Sequence, residues 1–295
     1  MTATIPAQTI VVSACDDYHH ALAVDLIASL NEVRDGTFKV GFVNVDDGPL
    51  CREFKNHVDV YTSMNSSFDR TKHHGFKLAH MQLKTRLPEI FPGFSVYVWL
   101  DGDTWVQNTR GIVNAARGAA KADIAIHPQL DPHYYRNKFH GDNTVARYRN
   151  IFPEAAADIW RYPMINSGVF AARADSKLWS EWKAILEETC ERRAGGADIY
   201  FSDQVPLHYL MVMGKIAIHP LRAVDNWLVF EAVPSLNPRT RKLVVPTEPH
   251  EEINTVHLAA WGKKRSYKVP GVEKEIWFTY RDVKRYFAEA SAASS

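Results

Sequence analysis

The first half of the chain alternates apolar, β-branched runs with segments of helical periodicity, and this alternation limits the fold more than any other feature. The runs Thr9–Ala14 and Phe38–Val45 are apolar over almost their whole length, and leucines and isoleucine recur at helical spacing from Leu22 to Leu30 between them. Strands that are apolar on both faces and joined by helices are typical of a mostly parallel sheet covered on both sides. The sequence therefore predicts an α/β fold with a mixed, mostly parallel central sheet flanked by helices.

Later segments continue this pattern, although more loosely in the second half. They are a predicted helix from Phe76 to Ile90, predicted strands at Val96–Leu100, Ala122–His127 and Ile165–Ala172, and a predicted helix that starts at Asp175 or Ser176. The polar stretch 128–153 is predicted to be a long connection, and long connections in compact domains are usually functional or mobile. We therefore expect one α/β domain with an irregular second half.

The composition indicates a globular protein and excludes several functional classes. The chain has 35 basic and 34 acidic residues, whereas dedicated nucleic-acid-binding proteins carry a strong basic excess. Its cysteines (Cys15, Cys51 and Cys190) match neither a zinc site nor a disulfide framework. No stretch reaches the roughly 18 consecutive apolar residues of a spanning helix, and residues 1–8 lack the features of a signal peptide. We expect a cytoplasmic protein that does not bind nucleic acid.

Two carboxylates follow the apolar strand Val96–Leu100. Asp101 and Asp103 flank Gly102, so both side chains would point to the same side of an extended backbone. Open α/β sheets bind ligands at the carboxyl ends of their strands, and a glycine there allows a ligand to approach the backbone. Because close carboxylates repel one another without a cation, the pattern favours a divalent metal with phosphate co-ligands. The alternative is a turn in which the aspartates cap backbone amides.

Further motifs surround this one in a fixed order. The first strand ends in Asp16-Asp17-Tyr18, and a long helix precedes the Asp-x-Asp strand. After that strand come Asn166-Ser167-Gly168-Val169-Phe170, Ser202-Asp203-Gln204 and Thr255-Val256-His257. The ordered set resembles the family-eight retaining glycosyltransferases, which have the GT-A fold of nucleotide-diphosphosugar transferases. The resemblance extends from about Ile10 to Lys264.

The resemblance implies a metal centre formed by Asp101, Asp103 and His257. These residues would bind Mn²⁺ or Mg²⁺, and an imidazole beside carboxylates favours Mn²⁺. The metal would bridge the α- and β-phosphates of the donor and neutralise the leaving diphosphate as a Lewis acid. Judged without the resemblance, His257 could equally be a buried, hydrogen-bonded histidine.

The resemblance also implies contacts to the rest of the donor. Asp16 and Tyr18 would contact the nucleoside, although a plain turn at the strand end would explain them as well. Gly102 would lie beside the donor, and Lys84 would approach both the donor and the metal aspartates, although it could equally lie on a solvated helix face. The pair His19-His20 is expected at the surface.

The segment after His257 departs from the family pattern. In the family, a glycine follows the late histidine by three residues and a lysine follows by three more. This chain instead has Gly262, two positions later than the family glycine, followed by Lys263 and Lys264, and the resemblance implies that this segment binds the donor phosphates. Either lysine could reach the β-phosphate as a point charge, or both could be solvated on a loop.

The sugar side of the site is expected to contain Asn166, Asp203 and Gln204. In the resembling enzymes, a residue of the Asp-Gln pair lies near the anomeric carbon. Because glutamine is a poor nucleophile, Gln204 favours a front-face mechanism in which the acceptor attacks from the leaving-group side. Asp203 would bind sugar hydroxyls, or it could cap the helix that follows it.

These assignments divide the chain into two parts. Residues 1–275 would form the GT-A domain, with 9–108 as its nucleotide-binding half and 109–275 as its sugar and acceptor half, and residues 276–295 would form a C-terminal helix and tail. The helix carries basic residues among aromatic ones, so it would either dock on the core or make a weak contact with anionic lipid. The segments Asp131–Arg149 and Val224–Arg241 would shape the acceptor pocket.

The sequence thus predicts a metal-dependent hexosyltransferase. It would move a hexose from a nucleotide diphosphosugar, a UDP-sugar by resemblance, to a hydroxyl with retention of configuration. The acceptor could be a glycan, a lipid-linked glycan or a protein. One alternative is a non-catalytic nucleotide-sugar or glycan-binding protein on the same fold. The other is a nucleotidyltransferase, which is disfavoured because no glycine-rich phosphate loop follows the first strand.

Overall fold

A central β-sheet organises the computed structural model, which describes residues 8–64, 77–134, 146, 148–153, 155–159, 162–194 and 202–292. In chain order the strands are β1 (Thr9–Cys15), β2 (Lys39–Asn44), β3 (Val60–Ser63), β4 (Val96–Leu100), β5 (Thr104–Val106), β6 (Ile124–Pro128), β7 (Ile165–Arg173), β8 (Ile218–Pro220), β9 (Trp227–Leu228), β10 (Ser235–Asn237), β11 (Lys242–Val244) and β12 (Thr255–His257).

Seven of these strands form the main sheet, in the order β3-β2-β1-β4-β7-β6-β8. Neighbouring strands are parallel except at β7, which runs antiparallel to both β4 and β6. This arrangement confirms the predicted mixed, mostly parallel sheet. Because β7 runs opposite to β4, the beginning of β7 lies beside the carboxyl end of β4, and both ends contribute to one edge of the sheet.

Helices cover both faces of this sheet. They are α1 (His20–Val33), α2 (Lys77–Lys84), α3 (Leu87–Ile90), α4 (Arg110–Ala119), α5 (Ala156–Ile159), α6 (Leu178–Ala194), α7 (Gln204–Val212) and α8 (Tyr280–Ala292). Apolar residues of α1 and α4 pack on one face, and those of α2, α6 and α7 pack on the other. Two apolar cores form because successive side chains of a strand point to opposite faces of the sheet. In β4, Val98 packs with the first group of helices and Trp99 with the second.

The helix predicted from Phe76 to Ile90 is two helices in the structure. The helix α2 ends at Lys84, and α3 begins at Leu87 with Pro88 in its first turn. A proline is favoured in a first turn because its missing N–H would have no partner there, and it disfavours continuous helix before it. Phe76 lies outside the described residues. So do residues 135–145 and 147, which belong to the predicted connection 128–153 and to the expected acceptor segment Asp131–Arg149.

A small sheet, in the order β5-β12-β9, continues from the end of β4. The strand β12 is antiparallel to β5 and parallel to β9, so His257 lies opposite Thr104. The separate pair β10–β11 is antiparallel. The short strand β5 therefore joins the Asp-x-Asp segment directly to the strand that carries the late histidine.

The C-terminal helix α8 packs on this part of the protein. Phe278 and Phe287 are buried in one apolar cluster with Trp105, and the indole N–H of Trp105 donates to the carbonyl oxygen of Phe278 at 2.8 Å. Arg281 pairs with the buried Asp25 of α1 at 2.8 Å. Of the two arrangements predicted for this helix, these contacts match the one in which it docks on the core. Within the described ranges, every helix is too short or too polar to cross a bilayer.

Candidate active site

Asp101 stands at the carboxyl end of β4, where the beginning of β7 fixes its backbone. Its amide donates to the carbonyl oxygen of Gly168 at 2.7 Å. One carboxylate oxygen, Oδ1, accepts from the indole N–H of Trp99 at 2.7 Å and from the ammonium group of Lys84 at 2.8 Å. The protein thus holds Asp101 through one of its two oxygens, and the carboxylate can offer the other to a ligand.

Asp103 lies two residues further on, beside β12. Its Oδ1 is 3.3 Å from Nε2 of His257, and its Oδ2 accepts from Nζ of Lys263 at 2.6 Å. Burial alone would raise the pKa of the Asp103 carboxyl, but His257 and Lys263 lower that pKa well below its usual value. Asp103 is therefore an anion at neutral pH.

The side chains of Asp101, Asp103 and His257 converge on one point. Each offers a ligand atom, and these atoms all lie within 4.8 Å of one another. Atoms bound to one Mg²⁺-sized ion at about 2.1 Å lie at most about 4.2 Å apart, so small side-chain rotations bring all three to one ion. Two carboxylates and an imidazole are also a donor set that suits a divalent metal such as Mn²⁺. The residues present therefore fit the metal that the sequence predicts.

Lys84 links Asp101 at the end of β4 to Asp203 at the start of α7. Its buried ammonium group donates to Asp101 at 2.8 Å, to Asp203 at 2.9 Å and to the carbonyl oxygen of Ser167 at 3.2 Å. Burial would lower the pKa of Lys84, but the two carboxylates raise it above its usual value. An ammonium group has three N–H donors, so protein acceptors use all of them here. Lys84 lies at the predicted place, and its described contacts are with protein groups.

Asp203 is buried at the start of α7, and its side chain faces inward. Its Oδ2 accepts from Lys84 and, at 2.8 Å, from the hydroxyl of Ser167, while its carboxylate makes no capping hydrogen bond to α7. Burial raises the pKa of Asp203, but Lys84 and Ser167 outweigh that effect and lower it. Of the two expectations for this residue, the helix cap is therefore wrong for the side chain.

Gln204 and Asn166 lie against each other at the same edge. Oε1 of Gln204 is 3.3 Å from the backbone N–H of Ser167 and 3.3 Å from Nδ2 of Asn166. Because a backbone N–H can only donate, the atom that faces Ser167 must be the amide oxygen of Gln204. The oxygen is thus held by the protein, and the amino group is the end of the Gln204 amide that remains for a ligand.

A cavity of about 230 Å³ opens above these residues. It reaches from Ala14 and Cys15 at the end of β1 to Asp203 at the start of α7, and its lining contains Lys84, both aspartates of the Asp-x-Asp segment, Gly102 and Lys263. A Cβ on Gly102 would stand 3.3 Å from the backbone oxygen of Ala14, so the end of β1 approaches this glycine closely. Carboxylates and lysines therefore share one cavity at the carboxyl ends of β1 and β4.

Comparisons with known protein structures identify the fold. No protein-family model matches the chain, and no curated protein matches it in a sequence search. Its structure is similar to that of the galactosyltransferase LgtC in complex with donor and acceptor sugar analogues, with a TM-score of 0.59, 11% identity and 95% of each chain covered. The chain has the GT-A glycosyltransferase fold.

Two further GT-A structures support this assignment. Mouse xyloside xylosyltransferase 1 in its apo form is 16% identical, with a TM-score of 0.50, and the match covers 85% of this chain and 97% of that one. The glycosyltransferase GlyE of Streptococcus pneumoniae is 16% identical, with a TM-score of 0.54, and the match covers 97% of this chain and 64% of that one. The predicted GT-A fold is confirmed, while the roles of individual residues depend on the geometry of this chain.

The turn after His257 has a left-handed residue at the position where the resemblance implies a glycine. Ala260, three residues after His257, has a φ of +50°, in the left-handed region that favours glycine. Three residues further on, Lys263 reaches Asp103, whereas the ammonium group of Lys264 lies 5.4 Å from the ring centre of Trp261. The structure thus separates the two predicted lysines, and Lys263 is the one that lines the cavity.

Gly262, the other glycine of this segment, lies within the turn after His257. It is buried inside the turn, its amide donates to the carbonyl oxygen of Ala259 at 2.9 Å, and the nearest atoms around a Cβ placed on it belong to Phe230 and Val229 at 3.7 Å. Its amide is therefore already used within the turn. The left-handed residue of this segment is Ala260.

The predicted nucleoside residues lie at the end of β1. Oδ1 of Asp16 accepts from the backbone N–H of His19 at 2.9 Å and lies 2.6 Å from Nδ1 of the same histidine. Asp16 thus caps the short 3₁₀ turn Asp17–His19, which was the alternative expectation for it. Tyr18 is 88% exposed, so its ring is accessible to a ligand. The contact of either residue with a nucleoside stays a prediction.

Sequence reasoning gave no role to two residues of this region. His19 is partly exposed, as expected, and it also lines the cavity. Asn226 is fully buried and bonds both to Asn166 and to His257, each at 2.9 Å. No local pattern marks Asn226, because its partners are 60 and 31 residues away along the chain. For His19, a usable sequence signal was its polar side chain at a position one turn after β1.

Proposed function

We propose that this protein is a metal-dependent glycosyltransferase that moves a hexose from a UDP-sugar to a hydroxyl group of an acceptor glycan or lipid-linked glycan. The observation that carries the proposal is the convergence of Asp101, Asp103 and His257 beside the cavity of about 230 Å³ in a GT-A fold. A cytoplasmic location is part of the same proposal.

The proposed metal site would be formed by Asp101, Asp103 and His257. A divalent ion bound there supplies Lewis-acid stabilisation of the negative charge on the departing diphosphate. Lys263 adds a second positive charge at the same end of the cavity, since its ammonium group lies 2.6 Å from Asp103. Charge stabilisation of this kind is usually the largest single contribution to catalysis.

The orientation of Gln204 supports transfer with retention by a front-face route. A double displacement needs a nucleophile below the anomeric carbon, but the amide oxygen of Gln204 faces Ser167 and Asn166. Asp203, the neighbouring carboxylate, is held by Lys84 and the Ser167 hydroxyl. In the front-face route the acceptor hydroxyl attacks from the leaving-group side, and an oxygen of the β-phosphate accepts its proton, so no protein nucleophile is required.

Calorimetric titration tests the donor and the metal together. We expect UDP to bind the wild-type protein with Mn²⁺ present and far more weakly after chelation. We expect Asp103→Asn to remove this difference. Asp175→Asn is the matched control, because Asp175 is an exposed aspartate that pairs only with Arg173 among the contacts described for it. Equal UDP affinity with and without Mn²⁺ would contradict the proposal.

Turnover separates an enzyme from a binding protein. Release of UDP from UDP-galactose and UDP-glucose would be followed over hours with Mn²⁺, using Asp103→Asn as the inactive reference and Asp175→Asn as the active one. The anomeric configuration of the first product, read by proton NMR, reports retention or inversion. Metal-dependent UDP-sugar binding without any UDP release would support the non-catalytic alternative instead.

A further inference from the structure

Asn226 connects the late histidine to the sugar side of the site. It lies just before β9, is fully buried, and makes one hydrogen bond from each end of its amide. Its Nδ2 donates to Oδ1 of Asn166 at 2.9 Å, and its Oδ1 lies 2.9 Å from Nδ1 of His257. The described contacts therefore place Asn226 behind the imidazole, on the side opposite Asp103.

A backbone amide determines which atoms in this chain are donors. The N–H of Gly168 lies 3.0 Å from Oδ1 of Asn166. Because a backbone N–H can only donate, that atom of Asn166 is an oxygen, and the atom of Asn226 that faces it must be the amino group. The other end of Asn226 is then an oxygen. An amide oxygen can only accept, so Nδ1 of His257 must carry a proton.

The proton on Nδ1 determines what His257 presents to Asp103. A neutral imidazole carries one N–H, so the lone pair is on Nε2. That nitrogen lies 3.3 Å from Oδ1 of Asp103, and two acceptors that face each other need a cation between them, either a second proton on the imidazole or a metal ion in its place. A histidine that binds a metal commonly donates its other ring N–H to an oxygen of the protein, which fixes the tautomer.

Packing around the ring keeps it in this orientation. His257 is buried, and a Cβ placed on Gly168 would stand only 2.1 Å from Cε1 of the imidazole. The backbone of His257 is also fixed on both sides, by Thr104 of β5 and Leu228 of β9. The imidazole is therefore buried and tightly packed on the Gly168 side.

We propose that Asn226 is a positioning residue that holds His257 in its Nδ1–H tautomer and aims Nε2 at the space beside Asp103. The role of this tautomer in metal binding rests on the function proposed above, whereas the tautomer itself rests only on the hydrogen bonds. Asn226 acts through His257 and is not itself one of the proposed metal ligands.

Two substitutions at this position separate positioning from a purely structural role. Asn226→Leu has a similar shape but neither accepts from Nδ1–H nor donates to Asn166. Asn226→Asp still accepts from Nδ1–H but loses the donation to Asn166. If Asn226 positions the histidine, the aspartate variant keeps the Nδ1–H tautomer and the leucine variant loses it. If Asn226 only supports the fold, both variants lose stability and metal affinity together. Asn114→Leu is the control, since Asn114 bonds to the neighbouring Asp225 at 3.0 Å.

The first readout is the tautomer in the metal-free protein. Histidine labelled with ¹⁵N would be observed by long-range ¹H–¹⁵N correlation at pH 8.5, with His257→Gln used for assignment. We expect Nδ1–H in the wild type, in Asn226→Asp and in Asn114→Leu. In Asn226→Leu we expect the proton on Nε2, where it can bond to Asp103. An Nε2–H tautomer in the wild type would overturn the proposal, whether or not the leucine variant folds.

The second readout is Mn²⁺ affinity, measured by electron paramagnetic resonance without donor. Loss of an outer-shell partner typically weakens metal binding by about 10- to 100-fold, and we expect a loss in that range for Asn226→Leu only. Wild-type affinity in Asn226→Leu would overturn the positioning role while leaving the proposed function intact. A wild type that binds no Mn²⁺ but shows the expected tautomers would leave the positioning of His257 standing and defeat the proposed function.

Discussion

The ammonium nitrogen of Lys84 lies 2.8 Å from Oδ1 of Asp101, so the helix α2 is tied directly to the carboxylate at the end of β4. The same nitrogen lies 2.9 Å from Asp203 at the start of α7. One buried cation thus joins two carboxylates from distant parts of the chain. It neutralises part of the negative charge that Asp101 and Asp203 bring to this end of the cavity.

Substitution of Lys84 should therefore destabilise the protein in a metal-dependent manner. Lys84→Met leaves two buried carboxylates without their cation, and breaking a buried ion pair from one side costs about 3–5 kcal/mol. Because a divalent ion beside Asp101 would replace part of the lost charge, we expect the loss, measured by urea denaturation, to be smaller with Mn²⁺ than with a chelator. Lys183→Met is the control, since Lys183 pairs with Glu89 at the surface. Equal losses with and without Mn²⁺ would show that Asp101 binds no ion.

Metal binding should also stabilise the native protein. A ligand at 100 times its dissociation constant adds about 2.7 kcal/mol to the free energy of unfolding if it binds only the folded state. We expect Mn²⁺ to raise the melting temperature of the wild type and to leave that of His257→Gln nearly unchanged. His57→Gln, at an exposed histidine, should respond as the wild type does. Differential scanning fluorimetry across a Mn²⁺ series measures all three, and a full response in His257→Gln would exclude His257 as a ligand.

Much of the architecture could be predicted from local sequence because apolar strands leave a local pattern. The runs at β1, β4 and β7 were each predicted to within one residue of their observed ends, and the carboxylates after β4 do converge with His257. The prediction of one continuous helix over 76–90 was wrong at its middle, because the helical spacing of apolar residues continues through a break that Pro88 alone signals. Asn226 could not be found, because its role depends on partners that only the folded chain brings together.

The glycine of the Asn-Ser-Gly-Val segment should be intolerant of any side chain. A Cβ on Gly168 would stand 2.1 Å from Cε1 of His257, a distance at which one of the two groups must move. We expect Gly168→Ala to lower stability by about 1–3 kcal/mol, the usual cost of overpacking, and to weaken Mn²⁺ binding by displacing the imidazole.

Gly262→Ala is the matched control for that substitution. A Cβ on Gly262 would meet its nearest neighbours at 3.7 Å, an ordinary contact distance. We therefore expect nearly wild-type stability, Mn²⁺ affinity and UDP affinity. A selective loss of UDP binding in Gly262→Ala would instead restore the sequence-based prediction that this glycine lies against the phosphates.

Ala260 offers a test of the turn that carries Lys263. Its φ of +50° costs a residue with a side chain roughly 1 kcal/mol relative to glycine. We expect Ala260→Gly to raise the free energy of unfolding by up to about 1 kcal/mol in urea denaturation. Ala259→Gly should lower it, because the φ of Ala259 is −47° and glycine adds only unfolded-state freedom there. Destabilisation by Ala260→Gly would mean that its methyl group packs usefully in the turn.

His208 should make the stability of the protein fall in mild acid. It is fully buried in α7, where its Nδ1 is hydrogen-bonded to the hydroxyl of Tyr148, and burial lowers the pKa of His208 to about 4 from its ordinary value of about 6.5. Above pH 6.5 the residue is neutral in both states, so its contribution is fully present. As the pH falls from 6.5 towards 4, the unfolded chain takes up the proton first, and the free energy of unfolding decreases by up to about 3 kcal/mol.

Urea denaturation between pH 7.5 and 4.5 should show a shallower decline for His208→Gln than for the wild type, with exposed His57→Gln following the wild type. Parallel declines for all three proteins would show that His208 does not remain neutral when folded.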